Sequence, residues 1–288
     1  MELRVLRYFI TAVREQGISK AADMLHVTQP TLSRQLMDLE YELGTTLLER
    51  NRQTKKLALT DAGMRLYSYA VQIVELADKA GTEISTKDSD IEGDVYIGTG
   101  ESTIMHGIAR AAINLNKKHP RFHYHILSGD SLLLMEKLDR GLIDFGIFID
   151  IVNVEKYEST PLAHADRNGI LMRKDHPLSQ KKSIKISDLK DIPILVSQQL
   201  LSSAKDSTSG LNICGSYNLL YNAAVMVKEG YACAMCLDGI ADTSEKSNLT
   251  FRSLNPPQLV KWNMAWRKGG QLSRAAQLFL NEIKETMV

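Results

Sequence analysis

Cys233 and Cys236 stand in "YACAMCL" at the C-x-x-C spacing of thiol oxidoreductases, with Cys214 upstream as the third cysteine. Thiol chemistry at that spacing needs the first sulfur at a helix N-terminus, where the dipole lowers its pKa. The stretch is instead apolar and strand-like, and residues i and i+3 of a strand face opposite ways. Two buried structural thiols are expected, with redox sensing the sharper alternative. His123 and His125 share a strand face near His119 and could grip a metal, but no neighbouring cysteine or carboxylate in the sequence completes a ligand set. Gly98-Thr99-Gly100 begins like a dinucleotide loop, yet Thr103 stands where the third glycine belongs and no Gly-Lys-Ser/Thr follows. No Gly-x-Ser-x-Gly occurs. The expectation is no metal, no cofactor and no enzyme.

A second constellation suits hydrogen bonding to an ordered surface. In "SKAADMLHVTQPTLSRQLMDLE", Thr31, Arg34 and Asp38 share one side of a helix, flanked by Pro30 and Gln35, with Gln29 at its exposed start. Gln and Arg can bond a base edge bidentately, and Thr offers a methyl or a hydroxyl. Three helices must position them. Leu3, Leu6, Phe9, Ile10 and Val13 predict a first helix ended by Gly17. Ser19 reads as the N-cap of a second, in which Ala21 and Ala22 allow close approach and Met24 and Leu25 face inward. Thr28 caps a third, with Pro30 in its first turn and Leu32, Leu36, Leu39 and Leu43 on its buried stripe. Short helix, tight turn and longer polar-faced helix describe a helix-turn-helix whose second helix would enter a major groove. A three-helix module that binds protein is the alternative.

Leu47-Leu48-Glu49-Arg50 and Leu57-Ala58-Leu59 flank a polar loop and read as a two-stranded wing. Arg50, Arg52, Lys55 and Lys56 fall within seven residues on a chain of net charge +1, a local patch suited to a polyanion. At 288 residues the chain has room for two domains, or three small ones. No apolar run approaches the roughly 20 residues of a membrane span. The N-terminus has no signal-peptide layout and three cysteines make no disulfide framework, so a cytoplasmic protein is expected.

The stretch from Phe9 through Gly63 resembles the N-terminal domain of LysR-type transcriptional regulators. Ala21-Ala22, Leu25, Val27-Thr28-Gln29-Pro30, Leu32-Ser33, Leu36, Leu39-Glu40, Leu43-Gly44, Leu48-Glu49-Arg50 and Leu59-Thr60-Asp61-Ala62-Gly63 carry the likeness. Gly141-Leu142-Ile143-Asp144, His176-Pro177-Leu178 and Gly230 extend it more weakly. The resemblance implies that the helix from Thr28 reads an operator, that the wing grips the backbone and that the remainder senses a small molecule. On it Gln29, Pro30, Thr31, Ser33, Arg34, Arg50, Arg52 and Lys55 are the candidate DNA contacts.

From Ala62 the apolar positions Leu66, Tyr69, Ile73, Leu76, Ala80 and Ile84 alternate steps of three and four. That nearly 3.5-residue period predicts a dimer seam on a rod of roughly 37 Å, capped by Thr60 or Asp61. The polar stretch "GTEISTKDSDIEG", 81–93, reads as a hinge. Beyond it, strands at 95–97, 122–127 and 145–149 alternate with helices from Ile104 to Leu115 and over 131–140, predicting a mainly parallel α/β sheet. Pro161 precedes a second set, with strands at 170–173, 192–196, 231–237 and 260–266 and a helix over 221–229, before a closing helix through Phe279 and Ile283. Ligands in such folds gather at strand C-termini and helix N-termini, where unpaired N–H groups attract anions. Thr99, Gly100, Ser102 and Thr103 in "IGTGEST", with Ser128 and Gln198, are the candidate effector contacts; simple capping is the plainer role for each.

The expected fold class is thus an N-terminal winged helix-turn-helix, all-α with a small β wing, then a long linker helix and an α/β effector domain. The resemblance makes that domain two-lobed, like periplasmic binding proteins. The expected boundaries are 1–60, 61–92 and 93–288, with lobe I about 93–161 and 268–288 and lobe II about 162–267. The expected partners are an interrupted palindromic operator in double-stranded DNA, a second copy or three more, and a small-molecule effector of the kind helix N-termini favour, an anion. No membrane is expected. A small-molecule-binding α/β protein or enzyme with an N-terminal dimerisation module is the alternative.

Overall fold

A computed structural model of the chain describes residues 1–50, 57–85, 93–149, 153–203 and 210–288. The chain divides into two compact units, Met1–Ser85 and Thr86–Val288.

The first unit runs α1 (Leu3–Arg14), α2 (Ile18–Met24), α3 (Gln29–Leu43), β1 (Leu48–Arg50), β2 (Leu57–Leu59) and α4 (Asp61–Ser85). Leu6, Phe9, Ala21, Ala22, Leu32, Leu36 and Leu39 meet in one core, each large aliphatic or aromatic side chain contributing about 1.5–3 kcal/mol by leaving water. The extended residue before α2 is Gly17, so Ser19 lies inside the first turn and does not cap it. Met24 is 63% exposed and Leu43 is also exposed, because both sit in last turns beyond the reach of the core. Thr28 caps α3 as expected, accepting from Thr31 N at 3.4 Å. His26, in the turn before it, adopts φ 55, a left-handed conformation uncommon for a side-chain-bearing residue.

The wing strands pair antiparallel, Leu48 opposite Leu59 and Arg50 opposite Leu57. Glu40 on α3 holds the wing, its Oε1 accepting from Leu47 N at 2.7 Å and Leu48 N at 3.0 Å. Thr60 caps α4, accepting from Gly63 N at 3.0 Å. The helix start passes so near the wing that a Cβ on Gly63 would lie 2.1 Å from the Leu47 carbonyl oxygen. Helix α4 continues through Ser85, so the expected hinge from Gly81 starts too early, and its residues 86–92 lie outside the described ones.

The second unit runs β3 (Gly93–Thr99), α5 (Met105–Lys118), β4 (Phe122–Ser128), α6 (Ser131–Asp139), β5 (Phe145–Ile149), β6 (Tyr157–Arg173), β7 (Pro193–Ser197), α7 (Gln198–Ser203), β8 (Asn212–Tyr217), α8 (Leu220–Lys228), β9 (Cys233–Leu237), β10 (Leu249–Ser253), β11 (Leu259–Arg267) and α9 (Arg274–Met287). The strand order is β4-β3-β5-β11-β6-β9-β7-β8, with β10 beside β6. Pairing is parallel at both ends, among β4, β3 and β5 and among β9, β7 and β8. It is antiparallel where β11 and β6 cross, so the sheet is mixed rather than mainly parallel. Strand β6 is far longer than the expected 170–173: its first part pairs with β11 and its last part with β9 and β10.

Each half carries its own core. Val95, Ile97 and Phe145 meet Phe279 of α9 in one. In the other half, Ile194, Val196 and Met235 face one way, and Leu171, Leu195 and Ala234 the other. No described helix is long and apolar enough to cross a membrane.

Candidate functional site

In the first unit, the face of α3 away from the leucine stripe is open. Gln29, Pro30, Thr31, Arg34 and Asp38 are exposed, while Ser33 and Gln35 are half-buried. Thr31 Oγ1 lies 2.7 Å from Thr28 Oγ1, which holds the hydroxyl at the first turn. Arg34 makes no ion pair among the described residues. Arg50 ends β1, and Arg52 and Lys55 lie outside the described residues. The geometry places donors of a rigid helix on one open side.

On α4 the apolar residues divide. Leu66, Tyr67 and Ala70 turn toward α1 and the core, and Arg7 Nη1 donates to Asp78 Oδ2 at 3.1 Å. Tyr69, Ile73 and Leu76 are 62%, 40% and 48% exposed along the other side.

In the second unit, a cavity of about 310 Å³ opens where the C-terminal ends of β3, β4, β7 and β8 converge. Gly100 and Glu101 approach from the β3 end, Gly129 and Asp130 from β4, Trp262 from β11, and Tyr217 and Leu220 from around α8. Beneath it, Asp166 of β6 is buried and collects four donors. Ser102 Oγ lies 2.5 Å from Oδ2 and Thr103 Oγ1 2.5 Å from Oδ1. His164 Nε2 lies 3.0 Å from Oδ1, and Trp262 Nε1 donates to Oδ2 at 2.8 Å. Burial pushes the Asp166 carboxyl up, but these donors outweigh it and hold the group below the usual carboxylate range.

Of the six candidate effector contacts, Gly100 lines the cavity. Thr99 is buried and donates to its neighbour Gly100 O at 2.9 Å. Ser102 and Thr103 spend their hydroxyls on Asp166, and Ser128 and Gln198 are exposed beside Gly129 and Gln199, which line the cavity.

The cysteines sit on opposite strand faces, Cys233 in one core and Cys236 in the other. Burial pushes the Cys233 thiol up to about 11 and the Cys236 thiol up to about 12. The histidine pair does meet a carboxylate, supplied by the neighbouring strand: His125 Nε2 lies 2.7 Å from Asp94 Oδ1, and His123 Nδ1 lies 3.9 Å from the same atom. No group of three or more metal-ligating residues forms among the described residues.

Residues 3–64 match the family described as bacterial regulatory helix-turn-helix protein, lysR family, and residues 89–288 match the LysR substrate binding domain. The chain belongs to the LysR family. Family members are helix-turn-helix DNA-binding transcriptional regulators with an effector-binding substrate domain, and relatives are named as regulators rather than enzymes. The regulator BenM of Acinetobacter baylyi is 33% identical over 224 residues, covering 76% of this chain and 71% of that one. The crystal structure of full-length BenM aligns at TM-score 0.55 and 26% identity over 99% of this chain and 96% of that one. CbnR, solved in complex with its target DNA, shares the fold at TM-score 0.80 and 20% identity over 99% of this chain and 100% of that one.

The cavity's most telling residues carry no local signal in the sequence. Asp166 falls between Pro161 and the expected strand at 170–173, Glu101 lies between the candidates Gly100 and Ser102, and Trp262 lies within the expected strand 260–266. Asp166 shares its strand face with Thr160, Leu162 and His164, and the hydroxyls it needs lie far back in "IGTGEST".

Proposed function

We propose that the chain regulates transcription by seating α3 in the major groove of an operator, as a homodimer or homotetramer, and that a small molecule in the cavity below β3 and β7 modulates this. The observation that carries it is the open row Gln29, Thr31 and Arg34 on a helix whose other side packs Leu32, Leu36 and Leu39 into the core. Gln29, Pro30, Thr31, Ser33 and Arg34 meet base edges and nearby backbone, and Arg50, Arg52 and Lys55 meet phosphates.

The exposed Tyr69, Ile73 and Leu76 on α4 seat a second copy, so that two recognition helices read the half-sites of an interrupted palindrome. Functional divisions follow at 1–60, 61–92 and 93–288, with the lobes meeting along β6 and β11, and the protein works in the cytoplasm. Effector binding favours one arrangement of lobes or subunits over another and changes operator affinity by linkage. Contacts come from the cavity wall, Gly100 among them, while Thr99, Ser102 and Thr103 support that wall. The anion expected at the helix N-termini meets Glu101 and Asp130 already placed there.

A gel shift against the DNA upstream of the protein's own gene tests this. Retardation that survives excess random competitor is expected. Its absence at low salt, with and without metabolite extract, would favour a small-molecule-binding protein whose N-terminal helices only dimerise it.

A further inference from the structure

We infer that the effector is a small organic cation, an ammonium-bearing molecule with an apolar body, held by Glu101 and Asp130; this rests on the reading of the cavity as the effector site. Three observations support it. First, Glu101 and Asp130 are the charged residues of the cavity wall, and no lysine, arginine or histidine lines it among the described residues. Second, the places where an anion would settle are occupied by the chain's own carboxylates. Helices α6 and α8 both start at this cavity, and free N–H groups there would attract negative charge. Asp130 Oδ1 already accepts from Leu133 N at 2.9 Å, and Glu101 Oε2 from Leu220 N. At the start of α5, Ser102 Oγ accepts from Ile104 N at 3.0 Å and donates to a third carboxylate, Asp166.

Third, Trp262 spends its indole N–H on Asp166, so what it offers the cavity is its ring. With that N–H spent, the indole keeps no donor for an anion, whereas the face of such a ring attracts a cation through its quadrupole. The second oxygens, Glu101 Oε1 and Asp130 Oδ2, have no hydrogen-bond partner among the described residues and are free to accept from an ammonium group. Met235, Val260 and Ile240 supply apolar wall for the rest of the molecule.

The test uses the full-length protein with matched probes, benzylamine and phenethylamine against benzoate and phenylacetate, read by tryptophan fluorescence and thermal shift. The amines should bind at least about tenfold more tightly than their carboxylate counterparts. The double variant Glu101→Gln with Asp130→Asn keeps an acceptor for each helix start while removing both charges, and it should bring the two classes to near parity. Tighter binding of the carboxylates, no saturable binding of either amine, or a preference that persists in the double variant overturns the inference. Ile240→Trp, which fills the cavity, separates the two failures. Carboxylate binding lost in that variant leaves the cavity reading standing and overturns only the charge assignment, whereas probe binding unaffected by it overturns the cavity reading itself.

Discussion

Trp262 Nε1 donates to Asp166 Oδ2 at 2.8 Å, across the two strands that carry the chain between the halves of its second unit. The pairing of β11 with β6 shifts register between Lys261 and Trp262, beside this bond. Trp262 is 3% exposed yet forms part of the cavity wall, so the carboxylate beneath it fixes both the crossing and the surface a ligand meets. Ser102 and Thr103 tie the start of α5 to the same two oxygens.

Asp166→Asn should destabilise the protein by about 1–3 kcal/mol at neutral pH, since an amide replaces an acceptor among four donors. The wild-type carboxyl is held below its ordinary value of 3.8 when folded. It therefore binds its proton less readily folded than unfolded, and its contribution is complete above that value and disappears as pH falls through the lower folded one. Urea unfolding from neutral pH downward should show a shallower acid loss in the variant. Identical pH slopes would count against the four-donor arrangement.

The thiols of Cys233 and Cys236, pushed up to about 11 and about 12 by burial, are protonated at neutral pH. Iodoacetamide should leave both unmodified in the native protein and label them after denaturation, as read by peptide mass spectrometry. Rapid native labelling of either, or a Cys233–Cys236 disulfide under mild peroxide, would revive redox sensing.

Ile73→Glu with Leu76→Glu should lower the sedimenting mass by at least half and weaken operator binding, because each charge sits where a second copy is proposed to pack. Both residues are partly solvated, so the fold should survive, as circular dichroism can check. An unchanged mass would place the interface elsewhere.

The legible parts of this molecule are those whose signals are local. Leu32, Leu36 and Leu39 announce α3, and Thr28 caps it one residue before its start. The Cys233 and Cys236 sides followed from strand periodicity alone. The first part of β6 is not legible because Pro161 looks like a break, whereas in the structure it sits inside the ladder, opposite Asn263. The candidate site was least legible where partners are remote: Glu101 meets Leu220 and Asp166 meets Trp262, separated by 119 and 96 residues. Ser102 and Thr103 are expected as effector contacts or caps, and nothing near them in sequence names the buried aspartate that takes their hydroxyls.

The central claim, that the open side of α3 reads bases while the wing holds phosphates, is tested most directly by fluorescence anisotropy of Arg34→Ala and Arg52→Ala on operator and on shuffled DNA across a salt series. Arg34→Ala should cost about 1–3 kcal/mol on the operator and much less on shuffled sequence. Arg52→Ala should weaken both alike and make the salt slope shallower by about 0.9. Equal losses on both sequences for Arg34→Ala would contradict the account.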